Sequence, residues 1–422
     1  MRRHFGILII LLFFGILLVG CNNAQYSTPT AIPTLTSVNA DSESCQGKIQ
    51  ASMPVVVRPE GVGGTDNTEY GYFATDAKAA STSAGILVTW HTGIDGQYPV
   101  PNGYVRLLDD NAQPIEDMSI LFQRSVVQTP NFVSTENGAL LTYCGVYEGG
   151  GHISSAILDF NGKLIAEQRR FSEEPSDCGD PDASAIWTGS RLLSAWSPQS
   201  YGPDGPNNYV LLDVADANGN NLFEKKFNPD AMLEPHLAFG HGRILMTVST
   251  RTGSDFLNGN NRGLTHLVVH RFDMEGNELG EPVVLDQPGE WEFGNSSVVP
   301  TRDGWLLLAE ASLQGANYYF AHLAPDGSLV SGPELVNSGT GIGFIDVVPY
   351  AGGAASLDGQ KIYFFSADGF VTHEWKSSPD EYMGRGGLVV HKGRLFVTYT
   401  SSPTQSKPVT NQVLIRELQC IP

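Results

Sequence analysis

The sequence predicts an all-β fold assembled from one repeated sheet, on three observations. A turn glycine followed by a short apolar run recurs along the chain, as in AGILVTW, NGALLTY and KGRLFVTY. These runs have the length of strands, and extended helical periodicity is nearly absent. Asn-Gly and Asp-Gly pairs, which favour tight hairpins, separate the later strands of each unit. Four antiparallel strands per repeat predict a seven-bladed β-propeller of four-stranded blades.

The number of blades is counted on the turn glycine, which recurs about every 50 residues. It occurs at Gly85, Gly138, Gly189, Gly242, Gly304, Gly353 and Gly393. Each unit contains a short strand, a turn, an apolar strand, a variable loop, a third strand, a tight turn and a fourth strand. The apolar runs are expected to pack blade against blade, with Trp90 and Trp196 as filler between blades.

The seventh unit lacks a fourth strand, because the chain ends shortly after its third, NQVLIREL. The segment 47–57, GKIQASMPVVV, has no unit of its own. We therefore predict that this N-terminal strand is added to the last blade and closes the ring. Closure removes the exposed sheet edges that otherwise invite aggregation.

The N-terminal residues form a segment separate from the fold. Arg2 and Arg3 precede an apolar run, 5–19, that is short for a membrane span. The run ends in LLVGC, which resembles the lipobox of bacterial lipoprotein signal peptides. The resemblance implies a signal peptide at 1–20, a lipid on Cys21 and a membrane-attached location in the bacterial cell envelope, outside the cytoplasm. An uncleaved anchor and an ordinary secretory signal are the alternatives.

Residues 21–44 are predicted to be the lipidated cysteine and a flexible tether, and residues 45–422 the propeller. The tether contains no Lys or Arg and is rich in Ser, Thr and Pro. The chain carries a formal net charge of −20, which repels phosphate backbones and anionic headgroups. Nucleic acid is therefore an unlikely partner by charge, and the lipid rather than a basic patch would hold the protein to its membrane.

With Cys21 lipidated, four cysteines are left to form disulfides. Cys45 precedes the closing strand and Cys420 ends the third strand of the last blade, so a bond between them would replace the missing hairpin. Cys144 would then pair with Cys178. Four cysteines allow three pairings, and the sequence does not choose among them.

The repeat resembles the "G-x-LLVVW…D-x-x-G" propeller repeats of bacterial secreted proteins and, more distantly, kelch repeats, over residues 75–420. The double glycine of kelch is missing from most units, and blade six is short and irregular. No repeated Asp-box of sialidases is present. The resemblance therefore implies the fold, and no family's catalytic residues are carried over.

Long loops are predicted at one end of the ring. Connections from second to third strands share that end with the blade-to-blade connections, whereas the tight turns lie at the other. The long segments all belong to the first set, at 91–103, 197–208, 249–263 and 401–410. We expect this face to point away from the membrane and to bind a partner. The alternative is that these loops only tolerate insertions.

A polar residue is predicted near the start of each first strand, at the mouth of the central channel. These residues are Asp76, Asn131, Asp182, His236, Asn295, Asp346 and Arg385. Oxygen-rich rings can hold Ca²⁺ or order water, so calcium is a candidate cofactor, though none is certain. Polar residues at strand starts are also ordinary turn formers, and this plainer interpretation is favoured.

Catalytic residues and metal ligands stay unassigned, because no serine-nucleophile elbow, phosphate loop or zinc signature is evident. The preferred hypothesis is a membrane-anchored lipoprotein whose long-loop face binds a protein or glycan. The first alternative is a metal-assisted hydrolase or glycan-active enzyme with its site at the channel mouth. The second is an envelope assembly factor. An enzyme is the less favoured class.

Overall fold

Antiparallel strands form nearly all the regular structure of the described chain. The computed structural model describes residues 47–58, 73–93, 102–122, 126–147, 150–169, 183–196, 201–202, 205–206, 209–217, 219–227, 232–252, 264–285, 292–312, 316–338, 345–378, 381–401 and 412–421. Within these ranges, no helix has the length and apolar character that crossing a membrane requires.

The strands, numbered in chain order, group into seven sheets. Blade 1 contains β3 (Phe73–Thr82), β4 (Gly85–Gly93), β5 (Asn102–Leu108) and β6 (Ser119–Phe122). Blade 2 contains β7 (Val126–Thr135), β8 (Gly138–Tyr147), β9 (Gly150–Asp159) and β10 (Leu164–Arg169). Blade 3 contains β11 (Ala183–Trp187), β12 (Leu192–Trp196), β15 (Val210–Ala215) and β16 (Asn221–Phe227), with the small pair β13 (Tyr201–Gly202) and β14 (Gly205–Pro206) between its second and third strands.

The remaining blades continue the same order. Blade 4 contains β17 (Met232–Gly240), β18 (Arg243–Thr252), β19 (Leu264–Phe272) and β20 (Val283–Leu285). Blade 5 contains β21 (Glu292–Pro300), β22 (Trp305–Ser312), β23 (Ala316–Leu323) and β24 (Leu329–Ser338). Blade 6 contains β25 (Ile345–Tyr350), β26 (Gly353–Asp358), β27 (Lys361–Phe365) and β28 (Val371–Lys376). Blade 7 contains β29 (Glu381–His391), β30 (Arg394–Ser401) and β31 (Val413–Ile421), with β1 (Lys48–Ala51) and β2 (Val55–Arg58) at its edge.

The predicted closure of the ring is confirmed. β1 and β2 both pair antiparallel with β31, with Ile49 opposite Cys420 and Val55 opposite Ile415. The closing strand is interrupted at 52–54, where Pro54 lacks an N–H to donate. Ser52 bridges part of the gap, since its N–H donates to the Glu417 carbonyl at 2.9 Å and its Oγ accepts from the Glu417 N–H at 3.1 Å.

The cysteine pairings stay predictions. Cys420 is disulfide-bonded, but Cys21, Cys45 and Cys178 lie outside the described residues. Cys144 lies on β8, and its side chain is not among those described. The position of Cys420 opposite Ile49 brings the chain just after Cys45 close to it.

The hydrophobic core is divided among the junctions between neighbouring blades. One buried cluster joins blade 7 to blade 1 and includes Val57, Trp90 and Phe396. Separate clusters occupy the other six junctions. The apolar run of each second strand therefore packs blade against blade, as the repeat predicts. Trp90 lies in one of these clusters, whereas Trp196 is buried in a small cluster with Leu211 inside blade 3.

The two ends of the ring have different connections. The "turn end" holds the first-to-second and third-to-fourth connections of each blade, and the "loop end" holds the rest. At the turn end, four aspartates close their own turns by accepting the N–H of the residue four positions on, at 2.8–2.9 Å. They are Asp109, Asp159, Asp216 and Asp273.

At the loop end, the second-to-third connections of blades 1, 3, 4 and 7 are the long ones. β4 extends to Gly93 and β18 to Thr252, so both strands run further into the predicted loops than their sequences indicated. Most of the four loops, at 94–101, 197–200, 253–263 and 402–411, lies outside the described residues. The described strands that flank these four segments end at the same end of the ring.

Candidate functional site

The predicted channel-mouth residues lie at the start of the first strands, where strand pairing is irregular. Bulges interrupt the first-to-second pairing in blades 1, 2, 4, 5 and 7. Asp182 lies outside the described residues. Asn295 and Arg385 lie on described strands, but their side chains are not among those described. The structure therefore describes the side chains of four of the seven, Asp76, Asn131, His236 and Asp346.

Strand register defines which residues are equivalent around the channel. In each blade, one residue of the first strand pairs with the equivalent position of the second strand. We call these seven first-strand residues the channel ring: Lys78, Asn131, Ser184, His236, Ser296, Asp346 and Gly387. Lys78, Ser184, Ser296 and Gly387 lie one or two residues after the positions expected from sequence. Bulges precede these positions in blades 1, 5 and 7, whereas the first two strands of blade 3 pair without interruption.

Most polar members of the channel ring bind the backbone of the next blade. Asn131 Nδ2 donates to the Ala185 carbonyl at 3.5 Å, and Ser184 Oγ accepts from the Leu237 N–H at 2.9 Å. Asp346 Oδ2 accepts from the Leu388 N–H at 2.8 Å. In each case the partner is the residue that follows the equivalent ring position. These side chains therefore hold neighbouring first strands together.

His236 makes the same type of contact between blades 4 and 5. Its Nδ1 lies 3.3 Å from the Val298 N–H, which donates to it. Burial lowers the pKa of the His236 imidazole to about 4, and the nearby Asp346 carboxylate offsets part of that effect. The His236 imidazole is therefore neutral at pH 7. Its proton lies on Nε2, because Nδ1 accepts the hydrogen bond from Val298.

Lys78 and Asp346 form an ion pair that passes over blade 7. Lys78 Nζ lies 3.7 Å from Asp346 Oδ2 and donates to the Gly386 carbonyl at 2.6 Å. Gly387 lies between them, and a Cβ there would stand 2.9 Å from Lys78 Cδ. The missing side chain at Gly387 thus provides the space through which blades 1 and 6 interact.

Asp76 lies in the bulge of β3, with a left-handed φ of 52°. Its Oδ2 is 3.5 Å from Nδ1 of His91 on the neighbouring strand β4. Across the described residues, no group of three His, Cys, Asp or Glu side chains could hold a metal ion. The calcium hypothesis thus gains no ligand set from the described part of the channel.

A second polar group, which the sequence analysis did not identify as a site, lies at the loop end between blades 5 and 6. One equivalent position of the second strands, which follows the residue paired with the channel ring, is aromatic and buried in four blades: Trp90, Tyr143, Trp196 and Tyr399. The same position carries Glu310 in blade 5 and Asp358 in blade 6. The replacement of an aromatic residue by a carboxylate in two adjacent repeats was the available sequence signal.

Tyr318 joins this group from β23. Its hydroxyl donates to Asp358 Oδ1 at 2.9 Å. Burial raises the pKa of both Glu310 and Asp358, and the Asp358 charge raises that of Glu310 further. We call Glu310, Tyr318 and Asp358 the carboxylate pocket. It combines the half-buried carboxylate of Glu310 and the buried carboxylate of Asp358 with a phenol.

The strand pairing described above defines the chain as a seven-bladed β-propeller. No protein-family model and no curated protein matches it. Solved structures with similarity include a subtype N11 neuraminidase-like protein of A/flat-faced bat/Peru, with 12% identity over 90% of this chain and 97% of the other, and a TM-score of 0.44. An alpha-L-arabinofuranosidase from Fusarium graminearum shares 12% identity over 88% and 98%, with a TM-score of 0.46.

Trypanosoma rangeli sialidase shares 10% identity over 87% of this chain, with a TM-score of 0.44, and the chain spans 59% of its length. At such identities and TM-scores no site residue or activity is transferred from any of the three.

Proposed function

We propose that the protein is a lipid-anchored binding protein of the bacterial cell envelope, whose propeller binds a protein or glycan partner with its loop end. The observation that carries this proposal is the difference between the two ends of the ring. At the turn end, short turns are closed by their own aspartates. At the loop end, blades 1, 3, 4 and 7 carry long connections on rigid sheets, where binding residues concentrate in other proteins.

The path of the chain supports the proposed orientation. β1 begins at Lys48, opposite Ile421 at the turn end. In this proposal the tether enters the propeller at the turn end, which leaves the loop end for a partner.

The channel ring supports binding over catalysis as the main role. Asn131, Ser184 and Asp346 are engaged with backbone groups of the next blade, and Lys78 is paired with Asp346. Side chains that hold the ring together are poorly available for proton transfer to a substrate. A partner bound across the loop end does not require them to move.

Replacement of the loops tests the proposal. In the full-length protein, segments 253–263 and 402–411 are each replaced by a short Gly-Ser linker, and pull-down from envelope extracts is followed by mass spectrometry and a glycan array. We expect the partner to be lost from at least one loop variant. A matched variant with the turn 109–113 replaced by DFNGK of blade 2 should retain it.

The proposal fails if every loop variant keeps all partners of the unmodified protein. Cys21→Ser should move the protein from the membrane fraction to the soluble fraction, and continued membrane attachment would contradict the anchor. If the protein is instead an envelope assembly factor, the captured partners should be components of the assembly machinery.

The enzyme hypothesis is retained as a second candidate on one observation, the electrostatic proximity of His236 and Asp346 in the channel. Hydrolysis of a panel of glycosides by the full-length protein, abolished in His236→Asn and Asp346→Asn, would support it. Glycoside hydrolysis unaffected by both substitutions would exclude a channel-centred site.

A further inference from the structure

A serine at the turn end is bonded to a histidine and, through it, to a carboxylate. Ser81 Oγ lies 2.8 Å from His391 Nδ1, and His391 Nε2 lies 2.9 Å from Asp110 Oδ1. Ser81 is near the end of β3, His391 ends β29, and Asp110 lies in the third-to-fourth connection of blade 1. The three side chains therefore join blades 1 and 7 in the order serine, histidine, aspartate.

The surroundings of Asp110 decide which nitrogen of His391 carries the proton. Lys392 Nζ donates to Asp110 Oδ2 at 2.5 Å. The hydrogen bonds from Lys392 and His391 lower the pKa of the Asp110 carboxyl, so this group is ionised at pH 7 and only accepts hydrogen bonds. His391 Nε2 must then donate to Asp110. In the neutral imidazole Nδ1 is left as an acceptor, and the Ser81 hydroxyl donates to it.

The serine is open to solvent, whereas the base behind it is shielded. Ser81 is half-buried, and the turn residues Ser83 and Ala84 that follow it are exposed. His391 is only 1% exposed. A small molecule that approaches the turn end therefore meets the hydroxyl of Ser81 before the imidazole that accepts its proton.

The other blades show that packing does not require this arrangement. Ser81 lies three residues after the channel ring, and the equivalent residue of blade 2 is Ser134. His391 lies four residues after the channel ring, and its equivalent in blade 1 is Thr82. Blade 2 thus has the serine, but the blade before it has a threonine in place of the histidine. The other five blades carry an apolar residue at the serine position: Trp187, Phe239, Val299, Pro349 and Val390.

We propose that Ser81 is a nucleophile that accepts the acyl group of a small ester, with His391 as general base and Asp110 as the residue that positions His391. Ser81 Oγ forms a bond to the ester carbonyl carbon while its proton moves to His391 Nδ1. The bond from that carbon to the alcohol oxygen then breaks, and the alcohol leaves with the proton from Nδ1. Water hydrolyses the acyl-serine through the same proton transfers. This inference goes beyond the proposed binding function, because the site lies at the opposite end of the ring.

A fluorophosphonate carrying biotin tests the inference on the full-length protein in detergent. Such reagents phosphonylate activated serine hydroxyls with loss of fluoride, and mass spectrometry of peptides locates the label. We expect the label on Ser81. His391→Gln should slow its attachment about 100-fold or more, which is the contribution of a positioned general base. Hydrolysis of p-nitrophenyl acetate should fall by a similar factor in this variant and in Ser81→Ala.

Two matched substitutions serve as controls. Ser134→Ala removes the equivalent serine of blade 2 and should leave the labelling of Ser81 unchanged. His241→Gln replaces a turn-end histidine of blade 4 whose Nε2 contacts the carbonyl oxygens of Thr301 and Gly304 instead of a serine, and it should also have no effect.

The role of Asp110 has its own readout. The amide of Asp110→Asn donates to His391 Nε2, which shifts the proton to Nδ1 and removes the acceptor of the Ser81 hydroxyl. Labelling should therefore slow in this variant at an unchanged unfolding temperature, and Asp110→Glu should restore part of it. Ser81→Cys keeps a nucleophile in place and should be acetylated by p-nitrophenyl acetate, which verifies the site in a folded variant.

Three outcomes would overturn the inference: no label on Ser81 in the folded protein, equal labelling of Ser81 in His391→Gln, or labelling of Ser134 at the same rate as Ser81. The loop variants of segments 253–263 and 402–411 should keep the label. Loss of every partner with Ser81 still reactive would refute the proposed function alone, and an unreactive Ser81 in a protein that binds its partner would refute this inference alone.

Discussion

Glycines at one position of the repeat meet two different structural requirements. At Gly138 an added Cβ would lie 2.0 Å from the Leu158 carbonyl oxygen, because the third strand of the blade passes directly over the turn. Gly85, Gly304 and Gly353 show the same close approach. At Gly242 no atom lies within 4 Å of such a Cβ, and only the positive φ of 67° favours glycine.

Alanine at these two positions should therefore have unequal effects. We expect Gly242→Ala to reduce the free energy of unfolding by about 1 kcal/mol, the cost of a left-handed non-glycine residue. Gly138→Ala should reduce the free energy of unfolding by about 3 kcal/mol or more, because the third strand, which carries the Leu158 carbonyl, must also move. Denaturant unfolding of the full-length protein measures both, and equal losses would show that close approach to the third strand does not matter.

The closing strand is the element on which the ring depends. β2 places Val57 in the buried cluster between blades 7 and 1, where its exposure is 0%. Its neighbour Val56 lies on the other face and is 37% exposed. Arg106 of blade 1 also donates to the Val57 carbonyl at 2.5 Å, so this strand bonds to both blades that it joins.

The alternation of these two valines gives a matched pair of substitutions within one strand. Val57→Ala should lower the free energy of unfolding by about 2 kcal/mol, because it leaves a cavity between blades 7 and 1. Val56→Ala should change it by less than about 0.5 kcal/mol. Similar losses in the two variants, measured by denaturant titration, would mean that β2 is not packed between these blades in solution.

The complete ring is held together by seven junctions of the same kind, and only a small cluster around Trp196 lies within a single blade of the described chain. Apolar clusters fill each junction, and polar contacts of the channel ring add to several of them. At the junction of blades 7 and 1, His391 contacts both Ser81 Oγ, at 2.8 Å, and Asp110 Oδ1, at 2.9 Å. Blade 7 joins the two ends of the chain, so a bond between Cys45 and Cys420 within it is expected to stabilise the whole ring.

A thermodynamic cycle of serine variants tests the predicted bond between Cys45 and Cys420. If the two are paired, the free energy of unfolding should fall by the same amount, about 2–5 kcal/mol, in Cys45→Ser, in Cys420→Ser and in the double variant. Cys144→Ser should add a separate loss to any of them. Single losses that sum in the double variant would show that Cys45 and Cys420 are not bonded to each other.

The features predicted best from sequence depend on local chemistry. The turn glycines and the tight Asp/Asn-Gly turns follow from the conformations that single residues and short hairpins adopt. The channel ring was predicted less well. Asp76 was expected where the register places Lys78, and it lies instead in the bulge that precedes Lys78. Register depends on strand pairing, which a count of residues along the chain does not contain.

The carboxylate pocket was not predicted as a site, although Glu310 was visible at the end of its apolar run. Its chemistry arises only when Tyr318 of blade 5 donates to Asp358 of blade 6. Contacts between blades join residues far apart in the chain, and the periodicity of one repeat contains no information about them.

The amino-acid order was sufficient for the number of blades, the closing strand and the polarity of the two ends, because each follows from strand length, turn type and connectivity. Which polar side chains meet across the channel, and which carboxylates lie together between two blades, depends on strand register and on packing between blades. These are set by close contacts among strands brought together by folding, and a difference of one residue in register changes the partner of every side chain.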